Sequence, residues 1–183
     1  TQPTCFGQTG SVELSTIGGT GTYTYNSNNP AATGLSVGSY TYKVVDANGC
    51  ESVATVTITQ PSQILVEAGS NKLISCNNPT AILNGSASSS DQVNFTYLWT
   101  TSNGMIDSGV NTVNPVVSKP GAYMLTVTNV LNNCSSSDVV TVQENKLKPV
   151  FTMSSNGLLL NCINTSLQLK TNVSAVQGTA SYV

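Results

Sequence analysis

The chain has 183 residues, and only 8% of them are charged, against about 25% in an average soluble domain. Its six basic residues are all Lys and the formal net charge is −2, which argues against nucleic acid because phosphate binding needs a basic surface. The chain contains no His, the commonest general base and metal ligand, so we expect no enzyme, no cofactor and no metal site.

Hydroxyl and amide side chains supply the polarity, since Thr, Ser and Asn make up 68 of the 183 residues. Thr, Val and Tyr favour pleated strands, whereas Asn, Ser and Gly favour turns. No run of strong helix formers is present, and no apolar stretch approaches the roughly 18 residues of a membrane-spanning helix. The composition predicts an all-β protein that does not span a membrane.

The first strong element along the chain is a hairpin. Residues 38–50 (Gly-Ser-Tyr-Thr-Tyr-Lys-Val-Val-Asp-Ala-Asn-Gly-Cys) read as a strand and an Asn-Gly turn ending in Cys, and residues 53–58 form the second strand. The same plan returns at residues 121–134 (Gly-Ala-Tyr-Met-Leu-Thr-Val-Thr-Asn-Val-Leu-Asn-Asn-Cys), with a second strand at 139–142. A repeat of one hairpin indicates tandem domains of one kind.

A second repeat begins at a cysteine. Cys76 is followed by apolar residues at alternate positions, as one face of a strand requires, and Cys162 is followed by the same pattern. The strands before them, residues 64–68 and 150–154, also match, and Cys5 starts a fainter copy. The chain therefore divides into residues 1–62, residues 63–145, and residues 146–183 as the first half of a third domain.

Each domain is expected to be an immunoglobulin-like β-sandwich, because its short alternating strands are separated by turn signals about every 8–12 residues. Trp99 is the expected core aromatic of the second domain. Tyr40 and Tyr123, each two residues after a Gly, either cap a loop as a tyrosine corner or are half-buried strand residues. The linkers are only a few residues long, which spaces the domains closely along an axis.

The five cysteines include no Cys-x-x-Cys pair, so we expect disulfides in an oxidising compartment rather than a zinc site. We predict the pairs Cys5–Cys50 and Cys76–Cys134, with Cys162 bonded to a cysteine outside the segment. Each closed loop would stabilise its domain by roughly 4 kcal/mol in the chain-entropy model. The alternative is five free, buried thiols.

Two positions near the first hairpin turn have a functional and a structural interpretation. The stretch Asp46-Ala-Asn48-Gly49-Cys-Glu51 offers oxygen ligands for calcium, but an Asx turn with Gly49 at positive φ accounts for the same residues. Lys43 lies in a strand and could form an isopeptide crosslink with Asn or Asp. Strand alternation instead places it on the solvent face.

Several Asn residues also fit the N-glycosylation pattern, which such a composition produces by chance. They are Asn84, Asn94, Asn133, Asn164 and Asn172. The chain starts at Thr1 with neither Met nor a signal peptide, so we expect a mature or excised segment.

Residues 33–50, with Cys5 upstream and Gln60-Pro61 at the end, resemble the SprB-type repeat of Bacteroidota surface proteins, and the match covers nearly all of residues 1–62. Residues 63–145 resemble a PKD-like or Ig-like domain of the same large proteins. That second match rests on Tyr97-Leu-Trp99 and on residues 120–128 (Pro-Gly-Ala-Tyr-Met-Leu-Thr-Val-Thr). The chain departs from a pure SprB array because it mixes two domain types.

The resemblance implies a very long cell-surface adhesin of the gliding-motility type, exported by type IX secretion to the outer surface of a Gram-negative bacterium. Its partners would be surface polysaccharide or the substratum, and the outer-membrane secretion and gliding machinery. The family offers no catalytic residue to carry over.

Two other functions stay open. A filament or pilus subunit would need an unpaired groove or a donor strand, and no spare strand is evident in either complete domain. A spacer stalk of a secreted hydrolase is the other alternative, because a spacer and an adhesin stalk share the same sequence features.

Overall fold

The computed structural model describes residues 1–25, 30–91, 94–148, 150–154 and 170–174. Cys162 and most of residues 146–183 lie outside these ranges. The regular elements of the described residues are all β-strands, as the composition predicts. Below, residues 1–62 are the first unit and residues 63–145 the second unit.

Strands of the first unit form a three-stranded sheet, in the order β2-β4-β5, and a separate pair, β1-β3. They are β1 (Gly10–Ser11), β2 (Thr24–Tyr25), β3 (Thr33–Leu35), β4 (Gly38–Val45) and β5 (Glu51–Ile58).

The predicted hairpin is present as β4 and β5, with a register that runs from Gly38 opposite Ile58 to Val45 opposite Glu51. Its outer face carries paired hydroxyls, because the side chains of Thr41 and Thr55 lie 3.0 Å apart across the strands. Such cross-strand pairs stabilise a hairpin without charge.

Strands of the second unit form a four-stranded sheet, in the order β10-β13-β14-β7, a three-stranded sheet β11-β12-β8, and the pair β6-β9. They are β6 (Leu65–Glu67), β7 (Lys72–Ser75), β8 (Ala81–Ile82), β9 (Ser86–Ser88), β10 (Phe95–Thr101), β11 (Ile106–Ser108), β12 (Val116–Val117), β13 (Gly121–Asn129) and β14 (Ser135–Asn145). β7 runs parallel to the end of β14, and the other pairs in this unit are antiparallel.

The core of the second unit lies between the four-stranded sheet and the layer formed by the other strands. Trp99 is 1% exposed, and its indole N–H donates a hydrogen bond to Thr112 O (2.9 Å). The prediction for Trp99 is therefore confirmed. The buried residues packed around it are Ile64, Ala68, Ile74, Leu83, Val117, Tyr123, Leu125, Val127, Val140 and Val142.

Both predicted corner tyrosines cap a loop through a hydroxyl. The Tyr123 hydroxyl donates to Lys119 O (2.6 Å), and Tyr40 makes the equivalent bond to Ser36 O (2.8 Å). In each case the acceptor lies four positions before the tyrosine, which is the geometry of a tyrosine corner.

The third unit begins as the second does. β15 (Val150–Ser154) pairs with β16 (Lys170–Ser174) in antiparallel register, just as β6 pairs with β9. The chain is thus an all-β protein of tandem immunoglobulin-like sandwich units. Within the described ranges, no helix is long and apolar enough to cross a membrane.

Candidate functional site at the junction between the units

The junction between the first and second units is closed by a disulfide bond. Cys5 is bonded to Cys134, which ends the β13–β14 turn, and their Cα atoms lie 5.6 Å apart. Beside the bond, the Asn132 side-chain amide donates to Thr4 O across the junction (3.2 Å). The units are therefore held together covalently.

Asparagines hold the turn that presents Cys134. Asn129 is 5% exposed, and its side-chain oxygen accepts a hydrogen bond from Leu131 N–H (2.8 Å). Asn133 has a φ of 58°, in the left-handed region that Asn tolerates better than most residues. The Asn129 N–H donates to Cys134 O (2.9 Å). The Asn-rich sequence thus fixes Cys134 at the end of the sheet.

A carboxylate of the second unit binds the linker between the units. Ser62 donates from both its backbone N–H and its hydroxyl to the two carboxylate oxygens of Asp91, at 2.7 Å each. The hydroxyl bond, followed by the backbone bond, lowers the pKa of Asp91 below its ordinary value. The linker is fixed to the second unit as well as to the first.

A cavity of about 180 Å³ lies beside the disulfide. Its walls include Phe6, Pro61, Ile64 and Asn129, and none of the lining residues carries a charge. A cavity without an ionisable side chain offers no general acid or base, and this volume is below that of an ordinary small-molecule site.

The predicted pairing of Cys5 with Cys50 is wrong in this structure. Cys50 lies just before the start of β5, whereas Gly7 N–H donates to the Gln60 side chain just past the end of β5 (2.8 Å). The eight residues of β5 separate the two cysteines by roughly 26 Å of strand. A disulfide needs Cα atoms within about 7 Å.

The predicted pairing of Cys76 with Cys134 is wrong for the same reason. Cys134 immediately precedes β14, and the parallel pairing of β7 puts Ser75 opposite Asn145, the last residue of β14. The 11-residue strand therefore separates the two cysteines by roughly 35 Å. Cys50 and Cys76 are free and exposed, and the prediction for Cys162 falls outside the described residues.

An open groove of about 350 Å³ runs along the core face of the first unit's main sheet. One wall is formed by Tyr42, Val44 and Val56 of β4 and β5, and the other by residues 12–17. Ile17 is 96% exposed and Tyr25 is 46% exposed. The groove therefore exposes apolar side chains of the first unit to solvent.

Asp46 acts as the turn interpretation predicts. Its carboxylate accepts hydrogen bonds from the N–H groups of Cys50 (2.8 Å), Asn48 (3.0 Å) and Thr20 (3.0 Å), and Gly49 has a φ of 81°. The backbone bonds from Cys50 and Thr20 lower the pKa of Asp46. In the described part of the chain, no three His, Cys, Asp or Glu side chains cluster closely enough to hold a metal ion.

The Lys43 ammonium forms an ion pair with Glu51, 2.6 Å away, and its side chain is 34% exposed. A partly exposed Lys in an ion pair is what the solvent-facing interpretation expects. Of the Asn residues with a glycosylation pattern, Asn84, Asn94 and Asn133 are exposed, whereas Asn164 lies outside the described ranges.

The tyrosine corner of each unit, together with the buried Trp99 of the second, is a feature of immunoglobulin-like sandwiches. No family model matches the chain, and no curated protein matches it. Among solved structures, it is similar to the PKD domain from human KIAA0319 at 16% identity, covering 45% of this chain and 81% of that one, with a TM-score of 0.37.

Two further solved structures are similar at the same distant level. The PKD domain from KIAA 1837 protein is 26% identical, over 44% of this chain and 86% of that one, with a TM-score of 0.33. Extracellular domains 3–5 of Drosophila OTK are 10% identical, over 71% of this chain and 56% of that one, with a TM-score of 0.34. Likenesses this distant do not identify a function.

Proposed function

We propose that this chain is a non-catalytic segment of a long, secreted cell-surface adhesin made of tandem sandwich units, with unit boundaries near residues 62 and 145. The observation that carries the proposal is the Cys5–Cys134 bond, which ties one unit to the next across their junction. An enzyme gains nothing from such a tie between two sandwiches, whereas an extended array under shear gains resistance to bending and unfolding.

The surface chemistry suits contact rather than catalysis. With 8% charged residues and many hydroxyls, the surface offers numerous weak hydrogen-bonding groups and no strong electrostatic field. Repetition of such units along an array multiplies weak contacts into firm attachment. Surface polysaccharide or the substratum is the partner that this chemistry fits.

The finer proposal follows the sequence resemblance. SprB-type features in the first unit support a gliding-motility-type adhesin of Bacteroidota, exported by type IX secretion to the outer surface of the cell. In that setting the array would also engage the outer-membrane secretion and gliding machinery.

Electron microscopy of the intact parent protein, purified from its source and weighed by mass spectrometry, tests the proposal. We expect a thin beaded filament with many more beads than the units described above. A compact head on a short stalk would contradict the adhesin and favour the spacer of a secreted hydrolase.

A filament subunit is the second candidate, because a groove of about 350 Å³ borders the core face of the first unit's main sheet. A peptide that copies residues 63–69, which include β6, is the natural donor strand to test. A subunit would polymerise alone and stop when the peptide caps its groove. An adhesin segment would remain monomeric in light scattering with and without the peptide.

A further inference from the structure

The two hairpin cysteines, Cys50 and Cys134, occupy the same place in their units. Each immediately precedes the second strand of its hairpin. Each carbonyl also closes its turn, accepting a hydrogen bond from Asp46 N–H (3.0 Å) in the first unit and from Asn129 N–H (2.9 Å) in the second. We call these two residues the turn cysteines.

The other two described cysteines, Cys5 and Cys76, are also counterparts. Cys76 follows Ser75, which lies opposite the last residue of β14. Cys5 follows a segment in which Gln2 bonds the backbone of Thr57 (3.0 Å) and Thr59 (2.8 Å), at the end of β5. We call these two residues the lead cysteines.

The observed disulfide therefore joins a lead cysteine to the turn cysteine of the next unit, and not two cysteines of one unit. Each unit has its turn cysteine at one end of its sheet and its lead cysteine at the other. Cys50 consequently lies at the end of the first unit that faces away from the junction. Cys76 lies at the opposite, outward end of the second unit, and both thiols are exposed.

We propose that the same linkage continues in both directions. Cys76 is the attachment site for the turn cysteine of the unit that follows, and Cys50 is the attachment site for the lead cysteine of a unit that precedes. The partner at each site is a further sandwich unit of the same kind. This inference rests on the proposed array, and it adds that the array is one continuous series of disulfide-joined units.

Each bond requires two thiols to lose two protons and two electrons, so a disulfide oxidant must accept them. Oxidised glutathione can serve: one thiolate attacks it, releases one glutathione, and forms a mixed disulfide. The second cysteine then attacks that mixed disulfide and releases the other glutathione. The exposure of Cys50 and Cys76 permits both attacks, since access governs such exchange.

Thiol alkylation of the isolated chain and of the parent protein tests the proposal. In the isolated, folded chain we expect iodoacetamide to modify Cys50 and Cys76 at once, and to modify Cys5 and Cys134 only after reduction. In the parent protein, Cys50 and Cys76 should resist alkylation until reductant is added. The variants Cys50→Ser and Cys76→Ser assign the modified peptides in the isolated chain.

Peptide mapping of the unreduced parent protein identifies the partners. We expect the Cys50 peptide linked to a lead-cysteine peptide, and the Cys76 peptide linked to a turn-cysteine peptide, both from outside residues 1–183. Free Cys50 and Cys76, or a Cys5–Cys50 or Cys76–Cys134 link, would overturn the proposal. A beaded filament whose outward thiols are free would refute the linkage alone, and a compact particle would refute the adhesin.

Discussion

The first and second units share a hairpin but not a core. The second unit buries 11 hydrophobic side chains, Trp99 among them, whereas the described residues of the first unit bury three, Leu35, Tyr42 and Ile58. The β4–β5 and β13–β14 hairpins nevertheless agree in register, since Tyr40 lies opposite Val56 as Tyr123 lies opposite Val140. Among the described residues, the hairpin of the first unit is therefore covered by fewer buried side chains than the hairpin of the second.

In the second unit, one strand of the opposite layer packs directly against the hairpin. In the second unit, β6 contacts both β13 and β14, and just beyond it the Ala68 N–H donates to the Asp138 carboxylate of β14 (2.8 Å). In the first unit, the corresponding face of β4 and β5 borders the open groove. In the second unit, the strand that precedes the lead cysteine thus packs against both strands of the hairpin.

Among the changes proposed here, breaking the junction disulfide should have the largest effect on the thermal stability of the two units. A bond that closes a loop of 129 positions stabilises by at most about 5 kcal/mol in the chain-entropy model. We expect the double variant Cys5→Ser/Cys134→Ser to melt in two steps, with the thinly packed first unit unfolding first. Far-UV circular dichroism follows both units, and Trp99 fluorescence follows the second alone.

The matched control is Cys50→Ser/Cys76→Ser, which removes two exposed thiols and should leave the melting curve unchanged. A single transition shared by both probes in the disulfide-free variant would mean that the units are equally stable, and the contrast drawn from their cores would be wrong.

Substitutions in and beside β6 test how much the side chains of this segment contribute to the stability of the second unit. Ile64 is 7% exposed and packs in the core, whereas its neighbour Leu65 is 57% exposed. We expect Ile64→Ala to cost about 2–4 kcal/mol and Leu65→Ala less than about 0.5 kcal/mol. Urea unfolding monitored by Trp99 fluorescence measures both. Equal costs would show that β6 contributes only through its backbone.

The two corner tyrosines give a smaller test. Tyr123 is fully buried, and its hydroxyl also accepts a hydrogen bond from Met105 N–H (2.9 Å), so Tyr123→Phe leaves a partly buried donor unpaired. We expect a cost of about 1–3 kcal/mol there, and less than about 1 kcal/mol for the more exposed Tyr40→Phe. Chemical denaturation of each variant measures these costs. A larger cost at Tyr40 than at Tyr123 would contradict the expectation that the corner hydroxyl contributes more to stability in the second unit.

The smallest expected effect is the loss of stability in acid that comes from protonation of Asp46 and Asp91. Hydrogen bonds lower the pKa of each carboxyl below its ordinary value of 3.8. Their contribution to stability is therefore complete above pH 3.8 and is lost as the pH falls through the lower folded-state pKa. Carboxyl NMR titration should give midpoints below 3.8 for both, and Asp91→Asn should remove the acid response at the Ser62 linker. Midpoints at or above 3.8 would contradict these hydrogen bonds.

Much of the fold could be predicted because its signals are local. The Gly-x-Tyr strands, the Asn-rich turns and the alternation around Trp99 each constrain a few neighbouring residues, and the hairpin registers follow from them. The tyrosine corners were predictable as one of two alternatives, because a hydroxyl reaching four positions back is also a local contact.

The cysteine pairing could not be predicted in the same way. Repetition shows that Cys5 corresponds to Cys76 and that Cys50 corresponds to Cys134, but a bond within a unit and a bond to the next unit fit that correspondence equally well. The choice depends on the parallel pairing of β7 with the end of β14, which is a contact between distant segments. The Ser62–Asp91 bonds were missed for the same reason, since 29 positions separate the two residues.

The Cys5–Cys134 bond also determines which part of the chain would carry tension. If the isolated chain, which holds this one disulfide among its described residues, is pulled from Thr1 and from the end of β14, force passes from the segment before Cys5 through the two sulfur atoms into β14. The residues between them, 129 positions of sequence, lie off this path. Their contour length of roughly 45 nm would therefore not be pulled out until a reductant opens the bond.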